Sequence, residues 1–228
     1  MTGMLSSVNS VAEALLVLDA AVDIIDLKQP ALGALGALEA ADVKRIVAAI
    51  DGRLPVSATI GDLPVQPEPV FNAVQAMAET GVDYIKIGFF PGDDWPGTVK
   101  KLSSLTQKHA LIAVLFADTR PDLSIMRLLK AEGFSGVMLD TMNKRQGSLT
   151  QIMDAAELLH FVTQAKALQL LCGLAGSLRL ADIPELLPLN ADYLGFRGAL
   201  CKEHDRVGRL NKQAVVTIKR AMQQAGVA

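Results

Sequence analysis

The stretch DIIDLKQP, residues 23–30, reads as a buried β-strand that ends on two charged side chains. Successive strand residues point to opposite faces, so Asp26 and Lys28 lie on one face of this predicted strand. Removing two such charges from water is unfavourable unless the charges are paired or take part in a function. The stretch therefore predicts a fold element and a candidate site at the same place in the chain.

Similar apolar runs lie along the whole chain, and each run is followed by a helical pattern. One such pattern, with Val43, Ile46 and Ile50 on one face, is typical of a half-buried helix. Strands that alternate with helices imply right-handed crossovers and a parallel sheet. The eight predicted strands are MLSSVN (4–9), DIIDLK (23–28), LPVSATI (54–60), DYIKIGF (83–89), ALIAVLFA (110–117), SGVMLDT (135–141), LQLLCGLA (168–175) and ADYLGFR (191–197).

Eight such units predict an α/β fold, a (β/α)8 TIM barrel, with residues 1–228 as a single domain. The length of 228 residues agrees, since these barrels typically have about 250 residues. A doubly wound open sheet is the alternative, but it usually carries a glycine-rich dinucleotide turn after its first strand. The segment MLSSVNSVAEA has no such turn, so the barrel is preferred.

Composition and charge indicate which partners to expect. The net charge is −2 and no basic stripe is present, so we expect a small-molecule substrate and no nucleic acid. The amino terminus lacks a basic start, and acidic residues interrupt every apolar run, so we expect no membrane association and a cytoplasmic location. Two cysteines, Cys172 and Cys201, fit a reducing compartment. Apolar residues on the outer helices permit a homo-oligomer, which we expect.

No common metal or nucleotide motif is present, because the sequence contains no HExxH, CxxC or GxxxxGK[ST] pattern. We therefore expect neither a metal nor a cofactor. The chemistry must then come from the side chains that a barrel places at the carboxyl ends of its strands.

Charged side chains occur on every even-numbered predicted strand, near its carboxyl end. Inward residues at similar heights on alternate strands of a barrel are neighbours, so these side chains should converge at the barrel mouth. A structural ion-pair network is the simpler interpretation, but the repetition on all even strands favours catalysis. The residues are Asp26, Lys28, Lys86, Asp140 and Arg197.

Two nearby lysines have a specific chemical meaning. Each ammonium group disfavours protonation of the other, and partial burial acts in the same direction, so one amine can be neutral near pH 7. A neutral lysine attacks a carbonyl carbon to form a Schiff base, and the second lysine can then move protons. On this hypothesis Asp26 could orient Lys28 or move protons during dehydration.

The segments GLAGSL (173–178) and GFRGALCK (195–202) follow strands 7 and 8, the usual phosphate-binding place in this fold. Each glycine alone is more simply explained by a tight turn, but two adjacent glycine-rich loops favour a phosphate group. Our candidate phosphate ligands are Gly176, Ser177, Arg197 and Gly198. Lys144, in the loop after strand 6, is either solvated or a further phosphate partner, and Asp62 and Asp118 fit the same mouth.

Several motifs, taken in order, resemble the (5-formylfuran-3-yl)methyl phosphate synthase family of methanofuran biosynthesis, also called 4-(hydroxymethyl)-2-furancarboxaldehyde-phosphate synthase. The resemblance implies a (β/α)8 lyase that condenses two molecules of glyceraldehyde 3-phosphate, with loss of one phosphate and two waters. The loop QPALGALGA departs from the more polar family pattern. The motifs are DIIDLKQPALGALGA, LPVSATIGDLP, VDYIKIG, GVMLDT, LAGSL and GFRGALCK.

The same resemblance assigns roles to individual residues. It implies that Lys28 forms the Schiff base and that Lys86 is the acid/base residue, with Asp26, Asp140 and Lys144 also in the site. Because the lysine is itself the electron sink, no organic cofactor is needed. Two alternatives stay open: another Schiff-base aldolase or sugar-phosphate isomerase, and a non-catalytic carrier of a phosphorylated aldehyde.

Overall fold

Eight parallel strands close into a barrel in chain order in the computed structural model, which describes residues 1–92 and 94–224. Each strand pairs with the next one, and β8 returns to β1 with Met4 opposite Leu194. The predicted (β/α)8 barrel is therefore confirmed. The strands are β1 (Gly3–Val8), β2 (Ile24–Leu27), β3 (Val56–Thr59), β4 (Tyr84–Phe89), β5 (Ala110–Phe116), β6 (Gly136–Asp140), β7 (Leu171–Leu174) and β8 (Tyr193–Phe196).

Helices cover the outside of the barrel because each has one apolar face. In the second helix the periodic residues Val43, Ile46 and Ile50 are all buried, as their spacing predicted. The helices are α1 (Val11–Asp19), α2 (Ala40–Ile50), α3 (Pro67–Ala78), α4 (Trp95–Thr106), α5 (Ile125–Ala131), α6 (Leu149–Ile152), α7 (Ala155–Ala167), α8 (Ile183–Leu186) and α9 (Lys212–Gln224).

Apolar side chains form two separate clusters on the two faces of the sheet. The larger cluster lies between the strands and the helices, where Val43, Leu111 and Leu158 are fully buried. The smaller cluster fills the inside of the barrel and includes Leu5 and Ile112. Because side chains alternate along each strand, one face packs against the helices and the other is left for the barrel interior.

The seventh strand is shorter than predicted. The apolar run 168–175 predicts a strand, but β7 begins only at Leu171, because Leu168 caps α7 and Gln169 adopts a left-handed conformation with φ 55°. After β7 the connection is a four-residue helix, α8, between short 3₁₀ turns. Pro184 and Pro188 lie in this connection, and proline has no N–H to continue a helix.

Three aspartates at the amino end of the barrel form the same kind of hydrogen bond. The residue just before β2, β4 and β8 is an aspartate whose carboxylate accepts the N–H of a residue at the start of the preceding strand. These bonds satisfy N–H groups that lack a partner where a strand begins. The pairs are Asp23 with Met4 at 2.6 Å, Asp83 with Val56 at 2.7 Å and Asp192 with Cys172 at 2.7 Å.

Candidate active site

A cavity of about 440 Å³ opens at the carboxyl ends of the strands and is strongly charged. The barrel brings together in its lining the five side chains that the sequence placed at a catalytic site. Most come from even-numbered strands or the residues just after them, as the register argument requires. They are Asp26, Lys28, Lys86, Asp140 and Lys144.

Asp26 and Lys86 form the deeper ion pair of the site, with Lys86 Nζ 2.6 Å from Asp26 Oδ1. Ser57 Oγ donates to Oδ1 at 2.7 Å, and Ser7 Oγ donates to Oδ2 at 2.8 Å. Burial opposes the charged form of Asp26, but Lys86 and Lys28 more than offset this, so the pKa of Asp26 lies below its ordinary value. Asp26 is therefore a fixed anion that holds Lys86.

Asp140 and Lys144 form a second ion pair nearer the mouth. Thr141 N–H also donates to Asp140 Oδ1 at 2.7 Å. Lys28 is the least tightly paired of the three lysines, since its Nζ lies 4.0 Å from Asp140 Oδ2. The sequence argument paired Lys28 with Asp26, because both lie on one face of the predicted strand. In the structure Asp26 instead forms its ion pair with Lys86, which lies on another strand.

The amine of Lys28 is easier to deprotonate than an ordinary lysine. Burial is the largest cause and lowers the pKa of Lys28 from 10.5 to about 8, with Asp140 and Asp26 raising it and Lys144 and Lys86 lowering it. The sequence argument gave most weight to a second cation, whereas burial dominates here. A buried amine with this pKa and no close carboxylate is suited to attack a carbonyl carbon.

The candidate phosphate loops after β7 and β8 place residues with unpaired backbone N–H groups at the cavity. Within the described residues, the N–H groups of Gly176, Ser177 and Gly198 have no protein acceptor, and all three residues line the cavity. Gly176 has φ 117°, and a Cβ there would lie 2.7 Å from Thr141 Cγ2, so only glycine fits. Unpaired N–H groups that face a cavity can bind an anion.

Arg197 occupies a different environment from the one that its sequence position suggested. It borders the cavity, but its guanidinium donates to Glu13 Oε2 at 2.5 Å, and to the carbonyls of Ser7, Arg206 and Gly208 at 3.2, 2.9 and 2.8 Å. Protein acceptors thus already use its nitrogens. Through its bonds to Arg206 and Gly208, Arg197 positions the loop after β8.

Replacing Arg197 with methionine is expected to lower the free energy of unfolding by about 3 kcal/mol, because the buried Glu13 carboxylate loses its cation. Urea unfolding measures this change, and Arg127→Met, at an exposed position of α5, is the matched control. Adding Glu13→Leu to Arg197→Met should restore part of the loss. An unchanged midpoint in Arg197→Met would contradict the role of this pair.

Sequence analysis missed Arg206, which lines the cavity and donates from Nη2 to the carbonyl of Gly33 at 3.0 Å. This bond joins the loop after β8 to the loop after β2 across the barrel mouth. The segment CKEHDRVGR mixes three basic with two acidic residues, and this pattern does not distinguish a surface loop from a loop that folds over a cavity.

Two aspartates at the mouth shape loops and do not line the cavity. Each carboxylate accepts two consecutive N–H groups of a neighbouring loop, at 2.7 to 2.8 Å. The sequence placed both at the mouth without a role, and the structure assigns them to loop positioning. Asp62 binds the loop at Ala34 and Leu35, and Asp118 binds the loop at Met142 and Asn143.

Membrane-spanning helices and clusters of metal ligands are both absent from the part of the chain that the structure describes. Across residues 1–92 and 94–224, no helix has the length and apolar character needed to cross a membrane. In the same ranges, histidine, cysteine, aspartate and glutamate side chains do not group as ligands of a metal ion would.

Comparison with known proteins gives a consistent family. A family model described as 4-HFC-P synthase matches residues 4–219. A provisionally named (5-formylfuran-3-yl)methyl phosphate synthase of Methylorubrum extorquens is 41% identical over 219 residues, covering 96% of this chain and 91% of that protein. The (5-formylfuran-3-yl)methyl phosphate synthase of Methanocaldococcus jannaschii is 32% identical over 210 residues, covering 86% of this chain and 89% of that protein.

Solved structures resemble the chain in fold alone, because their sequence identity is low. The 3-hexulose-6-phosphate synthase of Salmonella typhimurium superposes with a TM-score of 0.72 at 15% identity, covering 98% of this chain and 100% of that one. A phosphoribosyl anthranilate isomerase of Thermus thermophilus gives 0.69 at 12% identity, covering 97% and 98%.

Proposed function

Because the chain belongs to the 4-HFC-P synthase family, whose curated members are named (5-formylfuran-3-yl)methyl phosphate synthase, we propose that it makes this furan from two molecules of glyceraldehyde 3-phosphate. The reaction releases one phosphate and two waters, which makes the enzyme a lyase of methanofuran biosynthesis. The observation that carries the proposal is the environment of Lys28, a buried amine with pKa about 8 and its nearest carboxylate oxygen at 4.0 Å.

The proposed mechanism begins with the attack of the neutral Lys28 amine on the carbonyl carbon of one triose phosphate. Loss of water gives an iminium, which withdraws electrons from the adjacent carbon. Lys86, once its ammonium group has released a proton, takes the proton from that carbon. The resulting enamine adds to the carbonyl carbon of a second triose phosphate. Loss of phosphate and water, ring closure and a last dehydration give the aromatic furan, and hydrolysis of the imine returns one water to the balance and frees Lys28.

The remaining side chains bind and orient the reactants in this proposal. Gly176, Ser177 and Gly198 line the cavity, and their N–H groups, which have no protein acceptor among the described residues, would hold a substrate phosphate. Lys144, which is paired with Asp140, lies beside them and adds positive charge. Asp26 keeps Lys86 in place near Lys28, so the nucleophile and the acid/base residue stay on the same side of the cavity.

The direct test is to incubate the purified protein with glyceraldehyde 3-phosphate and record the ultraviolet spectrum and product mass. We expect a new furan aldehyde absorbance, a product of the mass of (5-formylfuran-3-yl)methyl phosphate, and one phosphate released per product. Consumption of the triose phosphate without a furan would exclude this function and favour an aldolase or isomerase.

The rate of Schiff-base formation should depend on pH through Lys28. With a pKa of about 8, its neutral fraction rises from roughly a tenth at pH 7 to roughly nine tenths at pH 9. Adduct trapped by borohydride after a short fixed time measures this rise. Because Asp140 raises the pKa of Lys28, Asp140→Asn should move the midpoint to lower pH, and a midpoint near 10.5 in the unaltered protein would contradict the assignment.

Two other functions use parts of the same site. A Schiff-base aldolase or sugar-phosphate isomerase would share Lys28 and the phosphate loops but would form no furan. A carrier of a phosphorylated aldehyde requires only one lysine, so the buried Asp26–Lys86 pair beside Lys28 argues against it. Visible absorbance of the purified protein would favour the carrier.

The expected setting of the enzyme is part of the proposal. Cys172 and Cys201 are both free and buried, which fits a reducing cytoplasm. We also propose a homo-oligomer that works without a metal or an organic cofactor. Light scattering tests the homo-oligomer. Full activity after treatment with a chelator tests whether the enzyme works without a metal.

A further inference from the structure

A second cavity lies inside the barrel at the amino ends of the strands, on the face opposite to the candidate active site. Its volume is about 150 Å³. This amino-end cavity belongs to neither the phosphate loops nor the mouth, and the proposed reaction leaves it without a role. It is lined by Leu5, Ile24, Ser57, Tyr84, Lys86, Ile112, Leu171, Asp192 and Tyr193.

Lys86 lines both cavities and so lies between the active site and the amino-end cavity. Its ammonium group has three N–H donors, and among the described residues only Asp26 accepts from it. Because Lys86 is only 2% exposed, its other donors would be costly to leave without partners. Water in the amino-end cavity would supply an acceptor on the side away from the substrate.

Two tyrosine hydroxyls extend the polar lining from Lys86 toward the amino face. Among the described residues, the hydroxyls of Tyr84 and Tyr193 have no hydrogen-bond partner, and Tyr193 is 5% exposed. The Tyr193 ring passes so close to Gly173 that a Cβ there would lie 2.3 Å from it. The glycine therefore lets the ring lie across the interior.

The cavity also reaches solvent at the amino face of the barrel. Leu171, at the start of β7, is 37% exposed, and the neighbouring Asp192 is exposed. The Asp192 carboxylate already accepts the N–H of Cys172 and so stays fixed at the entrance. The cavity lining thus includes Lys86, two tyrosines and Asp192 among apolar side chains.

We propose that the amino-end cavity holds water that hydrogen-bonds Lys86 and carries the proton that Lys86 has taken from the substrate to bulk solvent, so that the base is reset from the face opposite to the substrate. This inference rests on the proposed function of Lys86. Several deprotonations and dehydrations occur in one turnover while the reactants fill the mouth. A separate path would let Lys86 release to water the proton that it has taken from carbon, without displacing the reactants.

A high-resolution crystal structure of the unaltered protein tests the water path without any assumption about the reaction. We expect ordered water within hydrogen-bond distance of Lys86 Nζ on the cavity side, continued past Tyr193 to Asp192. A dry cavity would overturn the proposal. If the protein makes no furan, the proposed function fails, but this structure still decides whether the path exists.

Kinetics test whether the path resets the base. Leu171→Trp should block the entrance and lower kcat several-fold with little change in KM. The solvent deuterium isotope effect on kcat should rise, because proton release from Lys86 to solvent becomes slower. Leu159→Trp, which places the same ring on the exposed face of α7, should match the unaltered protein.

A second variant guards against misfolding or an outward-pointing tryptophan. Tyr193→Phe keeps the ring and removes only the hydroxyl, and we expect a smaller change of the same kind. Unchanged kcat and isotope effect in both variants, with the tryptophan seen in the cavity by crystallography, would overturn the role of the path.

Discussion

Replacing Lys28 with methionine is expected to lower the rate of furan formation by about 10³-fold or more, because the proposed mechanism then lacks the nucleophile that forms the iminium. The methionine side chain has a similar length and no charge, so the barrel interior should keep its packing. The measurement combines the initial rate of furan absorbance with borohydride reduction and peptide mass mapping. The unaltered protein should give a triose adduct on Lys28, and the variant should give none.

Two further variants separate loss of the nucleophile from loss of charge. Lys28→Arg keeps a cation beside Asp140 but cannot form an imine, so it should be as inactive as Lys28→Met. Lys100→Met, at an exposed position of α4, should keep full activity. Near-normal turnover in Lys28→Met would show that Lys28 is not the Schiff-base residue and would leave it as part of an ion-pair network.

Replacing Lys86 with methionine is expected to lower both activity and stability. Activity should fall by about 10²- to 10⁴-fold, because proton transfer in the proposed mechanism depends on this amine. The free energy of unfolding should fall by about 3 to 5 kcal/mol, because Asp26 is left buried without the cation 2.6 Å from its carboxylate. Urea unfolding and the rate of furan formation measure the two losses separately.

The double variant Lys86→Met with Asp26→Asn distinguishes the two losses. It removes both charges, so most of the stability should return while furan formation stays slow. Borohydride should still trap a triose adduct on Lys28, since the double variant keeps the Lys28 amine. If the double variant regained turnover together with stability, Lys86 would have a structural role only.

The convergence of charges at the mouth could be predicted from the sequence. Asp26, Lys28, Lys86 and Asp140 each follow a recognisable apolar run, and the geometry of a parallel barrel then places inward residues of alternate strands together. Which carboxylate pairs with which lysine could not be predicted, because that choice depends on side-chain positions between strands. The sequence therefore linked Lys28 with Asp26, and the structure has Asp26 paired with Lys86.

Arg197 and Arg206 illustrate the opposite case. Both lie in or beside glycine-containing segments after β8. The sequence of these segments does not indicate which guanidinium group is already hydrogen-bonded within the protein. Arg197 is held by Glu13 from α1, far away in the sequence, whereas Arg206 extends across the mouth to Gly33. Such long-range contacts are set by the closed barrel and leave no local pattern.

The sequence by itself determined the barrel, the order of its strands and the set of side chains at the carboxyl ends, because hydrophobic period and chain alternation are local properties. The tertiary structure alone decided the pairing of charges, the low pKa of Lys28 and the cavity beneath Lys86. These features depend on burial and on distances between side chains from different strands, and both exist only once the sheet has closed.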